Sequence, residues 1–206
     1  MRQSNFARTT FLGLAVLLWI CMIGGAYDLL LLHEQASSAD GKPPAYWPLR
    51  SALKPTKDKY NLIMFVHPKC PCTNASLNEL SKITARSKNL NTVICFYKPS
   101  GVDRNWLHGR VWDSAASIPE VKKVQDENGV EARVFRSSVS GQVVLYSPSG
   151  HLMFSGGVTA GRAHEGDNLG ADRILSVVNN QSGRQSSTSV FGCSLIDAAT
   201  QTGGRK

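Results

Sequence analysis

Leu62-Ile63-Met64-Phe65-Val66-His67-Pro68-Lys69-Cys70-Pro71-Cys72-Thr73 decides the reading of this chain. Five apolar residues in unbroken succession read as a strand buried on both faces. A Cys-Pro-Cys pair follows directly. Residues 71–87 then read as an amphipathic helix, with Leu77, Leu80 and Ile83 on one face. The pair therefore falls where a buried strand gives way to a helix N-terminus. That end of a helix carries roughly half a positive charge. It stabilises a thiolate, the reactive form of cysteine.

Strand, cysteine pair and helix in this order are the layout of a thioredoxin-like redox site. Cys70 is expected to cap the helix, with Pro71 at the first helical position, where its missing N–H costs nothing. In the functional reading, one thiolate attacks a substrate disulfide and the other resolves the mixed disulfide. A disulfide spanning a single residue closes a small, strained ring, and strain makes a disulfide more oxidising. The expected potential is therefore above that of thioredoxin. The plainer reading is two inert or metal-bound cysteines. His67 and Lys69 carry charge that can lower a thiolate pKa; equally, they read as a strand-end histidine bonded to backbone and a solvated lysine.

Working outward, residues 92–97 form a second strand, so the first half is a βαβ unit with parallel strands. Residues 99–110 read as a loop. Ser117-Ile118-Pro119-Glu120 has the form of a capping box and predicts a helix ending near Asn128-Gly129. Residues 131–135 read as a further helical turn. Strands at 142–146 and 151–154 flank the hairpin turn Ser147-Pro148-Ser149-Gly150. A glycine-rich loop spans 156–170, and a last helix spans 171–178. Residues 179–189, rich in Ser, Gln, Gly and Asn, read as flexible. The expected fold is α/β and thioredoxin-like: a central mixed β-sheet flanked by helices.

The chain starts differently. Residues 1–9 carry Arg2 and Arg8 and no acid, and residues 10–32 are almost wholly apolar, with Phe11, Leu17, Trp19 and Ile23 along the run. About 20 apolar residues suffice to cross a bilayer as a helix. Ser37-Ser38-Ala39 would suit signal cleavage, but the h-region of a signal peptide runs only about 7–15 residues, so an uncleaved signal anchor is the expectation. Basic residues before the span, with acids Asp28 near its far end and Glu34 beyond it, put the N-terminus in the cytoplasm. The expected organisation is a cytoplasmic N-terminus at 1–9, a membrane anchor at 10–32, a tether at 33–59, a domain at 45–179 and a flexible C-terminal segment at 180–206. The tether and domain overlap because Trp47 and Leu53 are expected to pack against the domain. In a Gram-negative bacterium this is an inner-membrane protein facing the periplasm.

Export bears on the five cysteines. Cys21 lies in the apolar span, and Cys95, in a strand-like run, reads as a buried small hydrophobe. Cys70, Cys72 and Cys193 remain, too few for a disulfide-stapled miniprotein. Cys193 reads as a third redox thiol or a resolving partner; the alternative is an exposed thiol or an apolar plug with Val190, Phe191 and Leu195. His164, Glu165, Asp167 and Asn168 form a polar cluster in the glycine loop, either a proton acceptor or metal ligand near the pair, or turn chemistry. The whole chain carries a net charge of +8, with its basic residues scattered. That suits a solvated surface near an anionic membrane rather than nucleic acid.

Four segments together carry a resemblance. His-Pro-Lys-Cys-Pro-Cys-Thr, Tyr-Ser-Pro-Ser-Gly-His-Leu-Met-Phe-Ser-Gly-Gly-Val-Thr, Gly-Arg-Ala-His-Glu-Gly-Asp-Asn and Val-Phe-Gly-Cys resemble the RedB-like proteins, membrane-anchored bacterial members of the thioredoxin-like superfamily. The resemblance spans about residues 45–196. It implies a thioredoxin fold and a redox role, without a substrate. The chain departs from mainstream thioredoxins in its Cys-x-Cys spacing and in Gly141, which stands where a cis-proline normally guards the site. The leading expectation is an exported, membrane-tethered thiol–disulfide oxidoreductase without a cofactor, acting on cysteine-containing exported or membrane proteins. Two others compete with it. One is a chaperone holding a soft ion such as copper through Cys70, Cys72, His67 and His164. The other is a thiol peroxidase, against which the adjacent Cys72 argues.

Overall fold

In the computed structural model, residues 2–35, 41–179 and 185–196 are described. Tyr60–Val66 forms the central strand β1. Leu62, Met64 and Val66 join one apolar cluster; Ile63 and Phe65 join another. A strand covered on both faces needs apolar residues at every position, which is why this run does not alternate. β1 pairs in parallel with β2 (Leu90–Lys98), Ile63 opposite Val93. The crossover between them is α2 (Thr73–Ala85).

The sheet has six strands in the order β3 (Val121–Glu127), β2, β1, β4 (Gln142–Tyr146), β5 (Leu152–Gly156), β6 (Ser186–Ser187). β4 and β5 form the antiparallel hairpin, and β4 runs antiparallel to β1. One face carries α2, α3 (Arg110–Ala116) and α5 (Leu169–Val178). There Leu77, Leu80 and Ile83 of α2 pack with Val111, Ala115, Ile174 and Val178. Each such side chain contributes about 1.5–3 kcal/mol by leaving water. The other face carries α4 (Val130–Val134), together with Trp47, Leu53 and Leu195. Trp47 meets the edges of both Phe135 and Tyr146. A parallel βαβ half joined to an antiparallel hairpin and a closing helix is the thioredoxin-like arrangement.

One predicted helix is a strand. Residues 121–127 form β3 (Val121–Glu127), parallel to β2 along its length. The capping box fails at Glu120, whose φ of +60° is left-handed and cannot start a right-handed helix. Val121 and Val124, three residues apart, imitate a helical face, but they lie on opposite faces of the sheet, one in each cluster. Lys122 and Lys123 suit an edge strand, where charge discourages pairing with another chain.

The segment expected to be flexible also differs. Ser186–Ser187 forms β6, parallel to β5, and residues 190–196 pack against the sheet, with Val190 and Leu195 each 1% exposed. Residues 180–184 and 197–206 lie outside the described residues.

The N-terminal unit is a single helix, α1 (Arg2–Gln35). Its 23-residue stretch Thr10–Leu32 is apolar and about 35 Å long at about 1.5 Å per residue. That is enough to cross a hydrocarbon core of about 30 Å. Phe11, Leu17, Trp19 and Ile23 are all exposed on it.

Candidate active site

At the end of β1 the chain makes two tight turns before the helix. Cys70 N–H donates to His67 O at 3.0 Å, and Thr73 N–H donates to Cys70 O at 3.2 Å. The helix itself begins at Thr73, with Cys72 as its cap and no side-chain capping bond. The cap thus falls two residues later than expected, and Pro71 lies in the turn rather than at the first helical position. Cys70 still sits at the N-terminal mouth of α2, where backbone N–H groups favour an anion.

Three thiols gather there. Cys70 is 1% exposed, and its Sγ lies 3.0 Å from Cys193 Sγ. Cys72, half-buried, is the third, close enough for the Cys70 charge to act on it. Burial works against the Cys70 thiolate. Hydrogen bonds from the Cys193 thiol, the Thr73 hydroxyl and the N–H groups of Cys193 and Cys72 outweigh it, so its pKa falls below the usual thiol value. The other two move the opposite way. Burial, then the hydrogen bond and charge of Cys70, push Cys193 up to about 12, with Arg162 opposing. Burial and the Cys70 charge raise Cys72, again with Arg162 opposing. The site therefore holds one thiol of lowered pKa flanked by two of raised pKa.

Cys193 arrives by main-chain pairing. Ser140 N–H donates to Cys193 O at 2.9 Å, and Leu195 N–H donates to Ser138 O at 2.8 Å. These bonds bracket an antiparallel bridge between Val139 and Ser194. Arg162 Nη1 donates to Gly192 O at 2.9 Å. Features of both sequence readings of Cys193 are present: its sulfur lies beside Cys70, and the residue is exposed between the buried Val190 and Leu195.

Ser140 ties this edge to the cysteine turn. Its Oγ accepts the His67 N–H at 2.8 Å and lies 2.8 Å from Thr73 Oγ1. Gly141 follows with φ +89°, and its N–H donates to Phe65 O at 2.8 Å. A proline could make neither that dihedral nor that bond, and no cis peptide bond occurs among the described residues.

The remaining candidates are placed elsewhere. The His67 ring stacks on Tyr97 and meets Trp106 edge-on, while its Nδ1 accepts the Lys69 N–H. Lys69 Nζ donates to His108 O and lies over the Trp106 ring. His164 bonds the Arg162 carbonyl through Nδ1, and Glu165 accepts from Asn78. Buried Glu79 pins the loop by accepting from Gly166 N–H and Asn168 Nδ2, and Asn168 Oδ1 caps α5 through Ala171 N–H. The polar cluster is turn and capping chemistry. Among the described residues no group of three or more His, Cys, Asp or Glu is disposed to hold a metal, so the set Cys70, Cys72, His67 and His164 is not assembled. Cys95 is buried, and burial with Asp126 and Glu131 nearby pushes its thiol well up, which leaves it inert. Thr73, Ser140 and Arg162 are the site residues that sequence reasoning passed over. Arg162 alone left a signal, as the arginine inside a glycine-rich loop.

The chain thus has a thioredoxin-like fold with three cysteines gathered at the N-terminus of α2. No family model matches the chain, and no curated protein sequence matches it. Solved structures do. A hypothetical protein of Sinorhizobium meliloti 1021 superposes with a TM-score of 0.56 at 18% identity, covering 80% of this chain and 98% of that one. An uncharacterized conserved protein of Geobacillus kaustophilus gives 0.57 at 15% identity, covering 79% and 93%. A secreted disulfide oxidoreductase of Mycobacterium tuberculosis, homologous to DsbE of E. coli, gives 0.43 at 16% identity, covering 65% and 92%. The likeness to the first two is one of fold.

Proposed function

We propose that this chain is an exported, membrane-tethered thiol–disulfide oxidoreductase that acts on the cysteines of other exported or membrane proteins, with Cys70 as the attacking thiolate. The observation that carries the reading is Cys70 itself, a thiol of lowered pKa with a second thiol 3.0 Å away. The Cys70 thiolate attacks one sulfur of a substrate disulfide; a Cys70–substrate bond forms and the other substrate sulfur leaves as a thiolate. Cys193 then gives its proton to the departed substrate thiolate and attacks Cys70 Sγ. A Cys70–Cys193 bond forms, the second substrate thiolate leaves, and two electrons have passed to the substrate. The same steps reversed oxidise a dithiol, with direction set by the partner's potential.

The pKa pattern suits this order. Burial, followed by the hydrogen bond and charge of Cys70, holds Cys193 protonated in the resting site. Once Cys70 is in a mixed disulfide its charge is gone. Arg162 remains, and Cys193 ionises more readily at the step where it must attack. The Cys-Pro-Cys pair keeps a part in this scheme, since Cys72 is a second thiol within reach of Cys70.

The apolar helix and the charges that flank it support a single-pass anchor in a bacterial inner membrane, with the domain in the periplasm. The resemblance to RedB-like proteins points the same way. The test is to equilibrate the full chain, in detergent and free of metal, with glutathione buffers, then alkylate and map the peptides. A reversible bond from Cys70 to Cys193 or Cys72 is the expected result. If Cys70 forms no reversible disulfide, the reading falls.

A further inference from the structure

Cys70 is almost fully buried, and Cys193 Sγ lies directly against it. Attack on an external disulfide needs a line of approach to Cys70, and Cys193 occupies one. The segment that brings Cys193 there is held by a single antiparallel bridge, Ser194 opposite Val139. Its partner edge, residues 138–140, offers the Ser140 N–H and the Ser138 carbonyl. Main-chain bonds of this kind accept any extended chain and leave selection to the side-chain positions between them.

Those positions are demanding. A Cβ at Gly192 would come within 2.0 Å of the Ser140 carbonyl oxygen, a backbone atom that cannot step aside. The residue before the cysteine must therefore be glycine. Arg162 Nη1 bonds the carbonyl of that same residue. Two residues after the cysteine, Leu195 is 1% exposed, in the cluster that holds Ala132 and Phe135. Ser194 is exposed, and so is Cys193 as a residue, although its sulfur lies against Cys70. The edge thus specifies an extended Gly-Cys-x-Leu pattern, with x unread.

We propose that residues 190–196 are a displaceable internal occupant of this edge, and that the proteins acted on present an extended Gly-Cys-x-Leu segment in its place. The inference rests on the oxidoreductase reading above. An incoming segment displaces residues 190–196 and takes their two backbone bonds. Its cysteine then forms the mixed disulfide with Cys70. Return of the chain's own segment carries Cys193 back to Cys70 Sγ and expels the substrate, so resolution and release are one event.

The test uses the full chain in detergent with Cys193→Ser, which removes the returning thiol and keeps the segment. The probe is the heptapeptide Val-Phe-Gly-Cys-Ser-Leu-Ile, its cysteine in a mixed disulfide with thionitrobenzoate. Attack by Cys70 on the peptide sulfur forms a Cys70–peptide bond and releases thionitrobenzoate, whose absorbance gives the rate. Adding Gly192→Ala pushes the internal segment off the edge, and release is expected to quicken about tenfold, equivalent to about 1.4 kcal/mol of lost docking. The same peptide with alanine in place of its glycine is expected to react about tenfold more slowly than the parent. No acceleration, or equal rates for the two peptides, overturns the proposal.

A second measurement does not depend on the folding of the Gly192→Ala chain. The heptapeptide with serine in place of cysteine should slow the reaction of the probe with the Cys193→Ser chain, and its alanine form should not. Equal effects of the two competitors also overturn the proposal. Glutathione–thionitrobenzoate serves as the small reagent. If Cys70 reacts with it but shows no peptide preference, the docking inference falls and the oxidoreductase reading stands. If Cys70 fails to react with it, the oxidoreductase reading falls too.

Discussion

Cys70 and Cys193, 123 positions apart in sequence, stand sulfur to sulfur at 3.0 Å, while Cys72 is two residues from Cys70. The distant partner is delivered by the edge at residues 138–140 without distorting the cysteine turn. The near partner can bond Cys70 only by closing a small ring, which is strained and more oxidising. Cys193→Ala should therefore leave a Cys70–Cys72 couple whose midpoint is higher by more than about 30 mV, a tenfold change in equilibrium constant for two electrons. Cys72→Ala should leave the midpoint within about 30 mV of the parent. Glutathione titration with alkylation of the full chain measures both; equal shifts would mean that the two partners are equivalent.

The lowered Cys70 pKa comes from specific donors acting against burial. Removing one donor must raise it. Thr73→Ala and Cys193→Ala are each expected to move the midpoint of Cys70 alkylation by iodoacetamide to higher pH. The linkage follows the same sign. A depressed Cys70 pKa adds stability to the reduced fold above the ordinary thiol value, and that stability is lost as pH falls through the folded value. Cys193, raised to about 12, does the reverse and withdraws stability as pH climbs past the ordinary thiol value. An unchanged alkylation midpoint in Thr73→Ala would remove the hydroxyl from the account.

Arg162 holds Gly192 by its carbonyl and opposes the raised pKa of both Cys72 and Cys193. Arg162→Ala should slow the resolving step, so that a mixed disulfide on Cys70 persists about tenfold longer, equivalent to about 1.4 kcal/mol. Arg162→Lys keeps the charge and should recover part of the rate. Quenched-flow trapping of the mixed disulfide by mass spectrometry reads this directly. Equal lifetimes in all three chains would confine Arg162 to a structural role.

What could be read in the sequence follows from how local each signal is. β1 and its cysteine turn were legible because both faces of β1 are buried and the apolar run is unbroken. The β4–β5 hairpin was legible because Pro148 and Gly150 mark the turn within four residues. β3 was not, because an edge strand needs little apolar surface and its two valines fall three apart, as in a helix. The docking of Cys193 was not, because it is made by main-chain bonds to residues 138–140, which leave no mark on composition. Thr73 and Ser140 are ordinary polar residues until the fold brings them together. The glycine in place of the proline was legible by counting from the hairpin; its left-handed dihedral was not.

The loop that carries His164 and Glu165 is anchored by Glu79 of α2, which is 4% exposed and also pairs with Lys82 at 2.8 Å. Glu79→Ala takes the acceptor from the Gly166 N–H and one of two acceptors from the Asn168 amide, which keeps Gly166 O at 3.0 Å, and leaving a donor unmet costs about 1–3 kcal/mol. The chain should melt lower by about 2–10 °C, with the Cys70 alkylation profile unmoved. His164→Ala should alter neither property, within about 0.5 kcal/mol for an exposed side chain. A shift of the Cys70 profile in His164→Ala would restore the histidine to the site.

Gly141 offers the sharpest structural test, because the substitution that would make this chain look more like a mainstream thioredoxin should damage it. Proline at this position removes the N–H that bonds Phe65 O at 2.8 Å. It also forces φ from +89° to about −65°. The stranded carbonyl and the displaced backbone together should cost about 3 kcal/mol or more in Gly141→Pro. That is a drop in melting temperature of about 6–12 °C for a domain of this size. Gly141→Ala keeps the N–H but must hold a left-handed dihedral, with its Cβ 2.9 Å from Ser76 Oγ, and should cost about 1–2 kcal/mol. Because Ser140, which receives Cys193 on this edge, is the preceding residue, the proline chain should also lose the Cys70–Cys193 bond in glutathione buffers. A Gly141→Pro chain that melts like the parent and keeps that bond would show that the edge is not fixed by Gly141.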